Sequence, residues 1–323
     1  MTAIMKTGVI SVMVHRSTTG AGWLRPALMI ATAVGLLTAC STASPTGGGS
    51  AQTIQVVAAE NFWGSIAAQL GGSKVHVTSI IDNPDADPHD YEATAPDARR
   101  IATADMVIIN GIGYDGWATH LVDANPSPTR RVLTVGSVVG ATEGDNPHRW
   151  YNPDDVRRVI DAIVADYKQL DPADSATFDQ QRAAFETKAM ADYNAAIAAI
   201  RDTYAGTKVG ASESIFAMLA PALGLDLVTP AGFLKAVSEG TDPTVSDKTT
   251  IDAQIRDRII KVYVYNSQNA TPDVQRQIEE AKAQGIPVTT ITETMVPATA
   301  SWQQWQTRQL DALQTALAQA TGR

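Results

Sequence analysis

Short apolar runs alternate with amphipathic stretches twice along this chain, and any fold it adopts has to satisfy that double alternation. In the first half, residues 54–57, 75–81, 106–110 and 132–135 read as strands, with helical stretches at 63–70, 96–104 and 117–123 between them. In the second half, the strand candidates are 208–211, 225–228, 262–265 and 288–291, and the helical ones are 215–222, 248–258, 272–284 and 302–320. Strand-helix-strand order favours a parallel sheet covered by helices. The expected fold class is therefore α/β, with two parallel-sheet α/β lobes at 54–170 and 206–323.

Between the lobes, Phe185, Ala189, Tyr193, Ile197, Ile200 and Tyr204 recur at helical spacing. Asp171-Pro172 supplies a cap and a first-turn proline just ahead. One long connecting helix within 171–205 is expected, about 45 Å long at about 1.5 Å per residue. Such a strut stiffens the pair of lobes. Ligands of α/β sheets sit outside the carboxyl ends of the strands, so the expected site is the cleft between the lobes.

The N-terminus has a different character. Lys6, Arg16 and Arg25 precede an apolar run at 26–38, and no acidic residue occurs before Cys40. That is the layout of a secretory signal. The run is shorter than the roughly 20 apolar residues that span a bilayer. It ends in Leu37-Thr38-Ala39-Cys40, which resembles the lipobox of bacterial lipoproteins. The expectation is a signal peptide over 1–39, a lipid on Cys40 that anchors the chain to the cell membrane, and a flexible Gly/Ser-rich tether over 40–53.

Cys40 is the only cysteine, so internal disulfides and thiolate zinc sites are excluded, and a metal would be held by nitrogen and oxygen. A chain beginning at Cys40 keeps 22 of the 25 Lys and Arg and all 34 Asp and Glu, a net charge of −12. Nucleic acid is not an expected partner. A monomer is expected.

Five histidines are present, and His15 precedes Cys40. His76 alternates within a strand and His120 sits on a short helix, the settings of ordinary surface histidines. His89 is held in Asp87-Pro88-His89-Asp90-Tyr91-Glu92, with Pro84 upstream; His148 is held in Asn146-Pro147-His148-Arg149-Trp150, ahead of a helix opened by Pro153. Both are proline-framed loops that follow strands, a rigid setting that suits a ligand.

These two motifs resemble the histidine motifs of the zinc and manganese substrate-binding lipoproteins of bacterial ABC transporters, and the resemblance covers essentially all of the chain beyond the tether. It implies a C-terminal lobe that adds a histidine or glutamate after its first strand and an acidic residue near its last. Ala211-Ser212-Glu213-Ser214 matches the first in its glutamate form, and Ile291-Thr292-Glu293-Thr294 matches the second with Glu in place of the commoner Asp. The implied metal ligands are His89, His148, Glu213 and Glu293. Taken alone, Glu213 reads as an acid at a helix N-terminus. Glu293 could instead cap a turn, with Asn266 or water completing the site.

The implied cargo is Mn2+ or Zn2+, and the implied partner is an ABC transporter permease. Two carboxylates beside two imidazoles make a hard donor set that suits manganese, although zinc binds a given site more tightly. No histidine occurs over 125–144, where many zinc-specific members carry a His-rich loop. A metal-dependent hydrolase or a surface adhesin on the same fold is the alternative, but H-E-x-x-H and G-x-S-x-G motifs are absent from the sequence. Two other signals are discounted. Gly111-Ile112-Gly113-Tyr114-Asp115-Gly116 fits a dinucleotide fingerprint but lies in the third strand-helix unit rather than the first. Asp82, Asp85, Asp87 and Asp90 lack the glycine and terminal glutamate of an EF-hand loop.

Overall fold

The computed structural model describes residues 53–84 and 91–323. The expected signal peptide, Cys40 and nearly all of the tether lie outside the described residues, as does His89. Among the described residues, no helix is long and apolar enough to cross a membrane.

The first lobe is built from β1 (Ile54–Glu60), α1 (Asn61–Gly71), β2 (Val75–Ile81), α2 (Ala95–Thr103), β3 (Met106–Ile109), α3 (Gly116–Ala124), β4 (Arg131–Thr134), α4 (Val135–Val139) and α5 (Pro153–Leu170). Its strands form a parallel sheet in the order β2-β1-β3-β4. After α6 (Ser175–Ala184) and α7 (Ala191–Tyr204), the second lobe contains β5 (Lys208–Ala211), α8 (Ser214–Leu219), β6 (Asp226–Leu227), α9 (Ala231–Ser238), α10 (Val245–Arg256), β7 (Val262–Asn266), α11 (Pro272–Ala283), β8 (Val288–Ile291) and α12 (Trp302–Thr321). Its sheet, β6-β5-β7-β8, is also parallel and repeats the same winding. In each sheet the strand order reverses between the two central strands, β1 and β3 or β5 and β7. A crevice opens there at the carboxyl ends of the strands.

Local chemistry sets the helix starts. Asn152 caps α5 by accepting from the Asp154 and Asp155 N–H groups, and Pro153 occupies the first turn, where its missing N–H costs nothing. Ser301 and Gln304 form a reciprocal capping box at α12. Both central strands of the first lobe are covered on each face, which is why Met106–Ile109 is buried and apolar throughout.

The connecting segment departs from the expected single helix. It is two α-helices joined through a π-helical turn, Phe185–Ala189, in which the Met190 N–H reaches back to the Phe185 carbonyl at 2.9 Å. The extra residue turns the apolar stripe, so Met190 is buried in place of the expected Ala189. A second feature is absent from the sequence pattern: α12 packs on α7 and also reaches α1, where the Trp302 N–H donates to Ser65 Oγ at 2.9 Å and the Gln303 and Gln69 amides pair. One continuous apolar cluster runs from Trp63 and Trp150 through Tyr193 to Phe216, Trp302 and Trp305. The two sheets thus share a core.

Candidate metal centre

His148 follows the first lobe's last strand by way of α4 and a loop. It is 1% exposed, and its ring packs edge-on to Trp150 at 5.3 Å between centroids and to Tyr114 at 6.1 Å. Asn146 Oδ1 accepts from the His148 backbone N–H at 3.1 Å and lies 2.8 Å from its Nδ1. An amide oxygen can only accept, so Nδ1 carries a proton, and in the neutral ring the lone pair is on Nε2. That nitrogen faces Glu293 Oε1 across 3.7 Å. The structure therefore brings together one nitrogen and one carboxylate of the expected set, from different lobes.

Glu213 lies at the switch point of the second sheet. It occupies the N-cap position of α8, yet its side chain makes no cap hydrogen bond. Instead Oε2 accepts from Asn266 Nδ2 at 3.1 Å, with the residue 1% exposed. Capping therefore does not account for this acid. The next residue, Ser214, places its hydroxyl 3.3 Å from His148 Nδ1, which sets the Glu213 segment against the histidine. The Glu293 backbone N–H donates to Gln268 Oε1 at 2.7 Å. Among the described residues, no three His, Cys, Asp or Glu side chains group tightly enough to hold a metal ion. Of the four expected ligands, His148 and Glu293 meet, Glu213 lies in the adjoining segment, and His89 is outside the described residues.

His76 and His120 are exposed, on β2 and α3. The glycine turn is also accounted for. Gly111, Ile112 and Gly113 all have positive φ, and the Asn110 and Gly111 N–H groups donate to the two Asp115 oxygens at 2.6 and 2.7 Å. Those amides would have to cradle a phosphate, and a carboxylate already holds them.

Sequence reasoning missed the residues that surround the donors. Asn146 stood out only as the partner of a proline, and Gln268 is an exposed polar residue just beyond β7. Glu60, at the carboxyl end of β1, is completely buried. Burial and then the neighbouring Asp115 push its carboxyl well above the usual range. Burial also raises Asp115, against the two backbone N–H groups that favour its charge. Tyr114 is raised well above its usual value by burial, then by the charges of Glu293 and Glu60. A cavity of about 470 Å³ opens beside His148 between the lobes, lined by Asn146, Ser214, Leu234, Lys235 and Ser238 among others.

Two α/β lobes with convergent polar groups at their facing switch points define a two-lobed binding protein. The family model described as zinc-uptake complex component A, periplasmic, matches residues 56–316, and the chain belongs to that family. It is a family of metal-uptake components and not of enzymes. Among its relatives, the metal ABC transporter substrate-binding lipoprotein FimA of Streptococcus parasanguinis is 26% identical over 263 residues, covering 76% of this chain and 82% of that one. The manganese ABC transporter substrate-binding lipoprotein PsaA of Streptococcus pneumoniae is also 26% identical, with the same coverage. In fold, the chain resembles the solute-binding protein FpvC of Pseudomonas aeruginosa, solved with Mn2+, with a TM-score of 0.68 at 20% identity over 83% of this chain and 100% of that one.

Proposed function

We propose that this protein captures a divalent transition-metal ion, Mn2+ or Zn2+, outside the cytoplasm and delivers it to an ABC transporter permease. The observation that carries the reading is the His148 to Glu293 pair, in which a buried imidazole whose Nδ1 is held by Asn146 turns its Nε2 towards a carboxylate of the opposite lobe. A site of this kind neutralises a cation and needs no reaction. His89, His148, Glu213 and Glu293 are its ligands, and two nitrogens with two carboxylates suit both ions. The lipoprotein names of FimA and PsaA support extracytoplasmic placement, with Cys40 as the lipid attachment point, residues 1–39 as the removed signal and the Gly-rich segment as tether. The protein acts as a monomer, its lobes being residues 54–170 and 206–323 on either side of the connecting segment.

The test is calorimetric titration of the full chain in detergent micelles with Mn2+ and with Zn2+. Binding of either ion with Kd below about 1 μM, or about −8 kcal/mol, is expected. Weaker binding of both would end the transport reading.

A further inference from the structure

Two side-chain amides reach across the lobes in matching ways. On the first lobe, Asn146 Oδ1 holds the His148 backbone N–H and ring, while Nδ2 donates at 2.7 Å to the carbonyl of Ser214, the residue after Glu213. On the second lobe, Gln268 Oε1 accepts from the Glu293 and Thr294 N–H groups at 2.7 and 2.9 Å. Its Nε2 donates at 2.6 Å to the carbonyl of Pro84, which follows β2, and at 2.7 Å to Thr294 Oγ1. Each amide thus secures a donor segment of its own lobe with its oxygen and grips the other lobe's backbone with its nitrogen. Thr294 Oγ1 adds a weaker bond to the same Pro84 carbonyl at 3.3 Å.

We propose that Asn146 and Gln268 are positioning residues that latch the lobes together around the bound ion, so that their cross-lobe hydrogen bonds slow its release. This rests on the metal-capture reading given above. An amide suits the task because it both donates and accepts, whereas a carboxylate only accepts and an ammonium only donates. Parting of the lobes breaks both cross-lobe bonds while each donor stays fixed on its own lobe. Neutral hydrogen bonds of this kind change a rate by about two- to tenfold when one is removed. The two latches share no partner, so their effects should multiply.

Carboxylate isosteres separate the two halves of each amide. Asn146→Asp and Gln268→Glu keep the accepting oxygen and delete the cross-lobe donor. Each also adds negative charge near a cation, which by electrostatics alone slows release. The measurement is stopped-flow displacement of Mn2+ and of Zn2+ by excess chelator from the full chain in detergent. Release is expected to speed up about two- to tenfold in each isostere, and by the product in the double variant. Gln268→Met, of similar length and making neither bond, should release at least as fast as Gln268→Glu. The electron paramagnetic resonance signal of Mn2+ bound to Gln268→Glu should match that of the wild type, since no ligand is touched. Release as slow as wild type or slower in both isosteres overturns the latch, as does acceleration confined to Gln268→Met. If the wild type binds neither ion, the metal-capture reading fails and takes the latch with it.

Discussion

His148 and Glu293 face each other at 3.7 Å, but their supports differ in kind. His148 sits 1% exposed among aromatic rings, with Trp150 stacked on Phe62 at 4.0 Å and tilted against Tyr114 at 5.0 Å, and its tautomer is fixed by one amide. The Glu293 side chain is 14% exposed on a segment beyond β8, tied through its backbone to the exposed Gln268. The first lobe contributes a donor fixed by packing, while the second contributes one fixed by hydrogen bonds in reach of water. Packing of that kind holds a side chain to one rotamer, whereas a few hydrogen bonds leave a longer chain room to adjust. A site so divided can keep one bond rigid and adapt another to ions of different size.

The largest effect expected from breaking this asymmetry is on the packed side. Trp150→Ala should destabilise the fold by about 3–5 kcal/mol, read by denaturant unfolding, because a fully buried indole leaves a cavity that its stacked neighbours cannot fill. A loss under about 1 kcal/mol would mean that the aromatic packing is not what fixes His148.

Next comes the proposed ligand pair itself. His148→Ala should lower Mn2+ and Zn2+ affinity more than about 100-fold, beyond the about 10–100-fold typical of losing an outer partner, and Glu293→Ala should lower it less, since water can take the vacated position. Chelator competition measures both. Equal losses would show that the exposed donor is as indispensable as the buried one.

The pH dependence sharpens the contrast between nitrogen and oxygen donors. Imidazole must be neutral to bind, and histidine ordinarily titrates near about 6.5, so affinity should hold above that value and fall as pH drops through it, by about tenfold or more per ligating histidine between pH 7 and 5. Affinity that stays level from pH 7 to 5 would point to carboxylates as the only donors.

The smallest effect concerns stability at the first lobe's switch point. The Glu60 carboxyl is raised in the folded state above its ordinary 4.5, so the folded protein keeps a proton that the unfolded chain releases. Stability is then unaffected below about pH 4.5 and declines as pH rises from there towards the folded value. Glu60→Gln removes that decline. Its melting temperature should exceed that of the wild type at pH 7, and the gap should close below about pH 4.5. A gap that persists at low pH would assign the gain to some other cause.

The eight strands among the described residues were legible in the sequence because their apolar runs are short and bounded by turn residues, and several are rich in Val and Ile. Val75–Ile81, Lys208–Ala211 and Val288–Ile291 begin and end where the pattern places them. Helix α9 left little trace, since its eight residues offer only Phe233, Leu234 and Val237 to bury, fewer than two turns of periodicity. The π-turn was also hidden, although its signature is present: the buried residues step by five from Phe185 to Met190, and a half-buried Ala189 masks the break. In the site, motifs pointed to the proposed ligands and not to the groups that hold them. Asn146 and Gln268 act through bonds to backbone of the opposite lobe, and nothing local in sequence marks a contact that spans 68 residues in one case and 184 in the other.

The return of α12 to the first lobe has a consequence for how the chain is made. Ser65 receives the Trp302 N–H across 237 residues, and Gln69 pairs with Gln303 across 234. The earliest-synthesised lobe therefore lacks part of its packing until the last helix has been synthesised, and contacts so distant in sequence fold slowly because a long loop must close first. Most chains complete their N-terminal domains while the ribosome is still working. This one stays unfinished until α12 has been made, a delay that would suit the export proposed above.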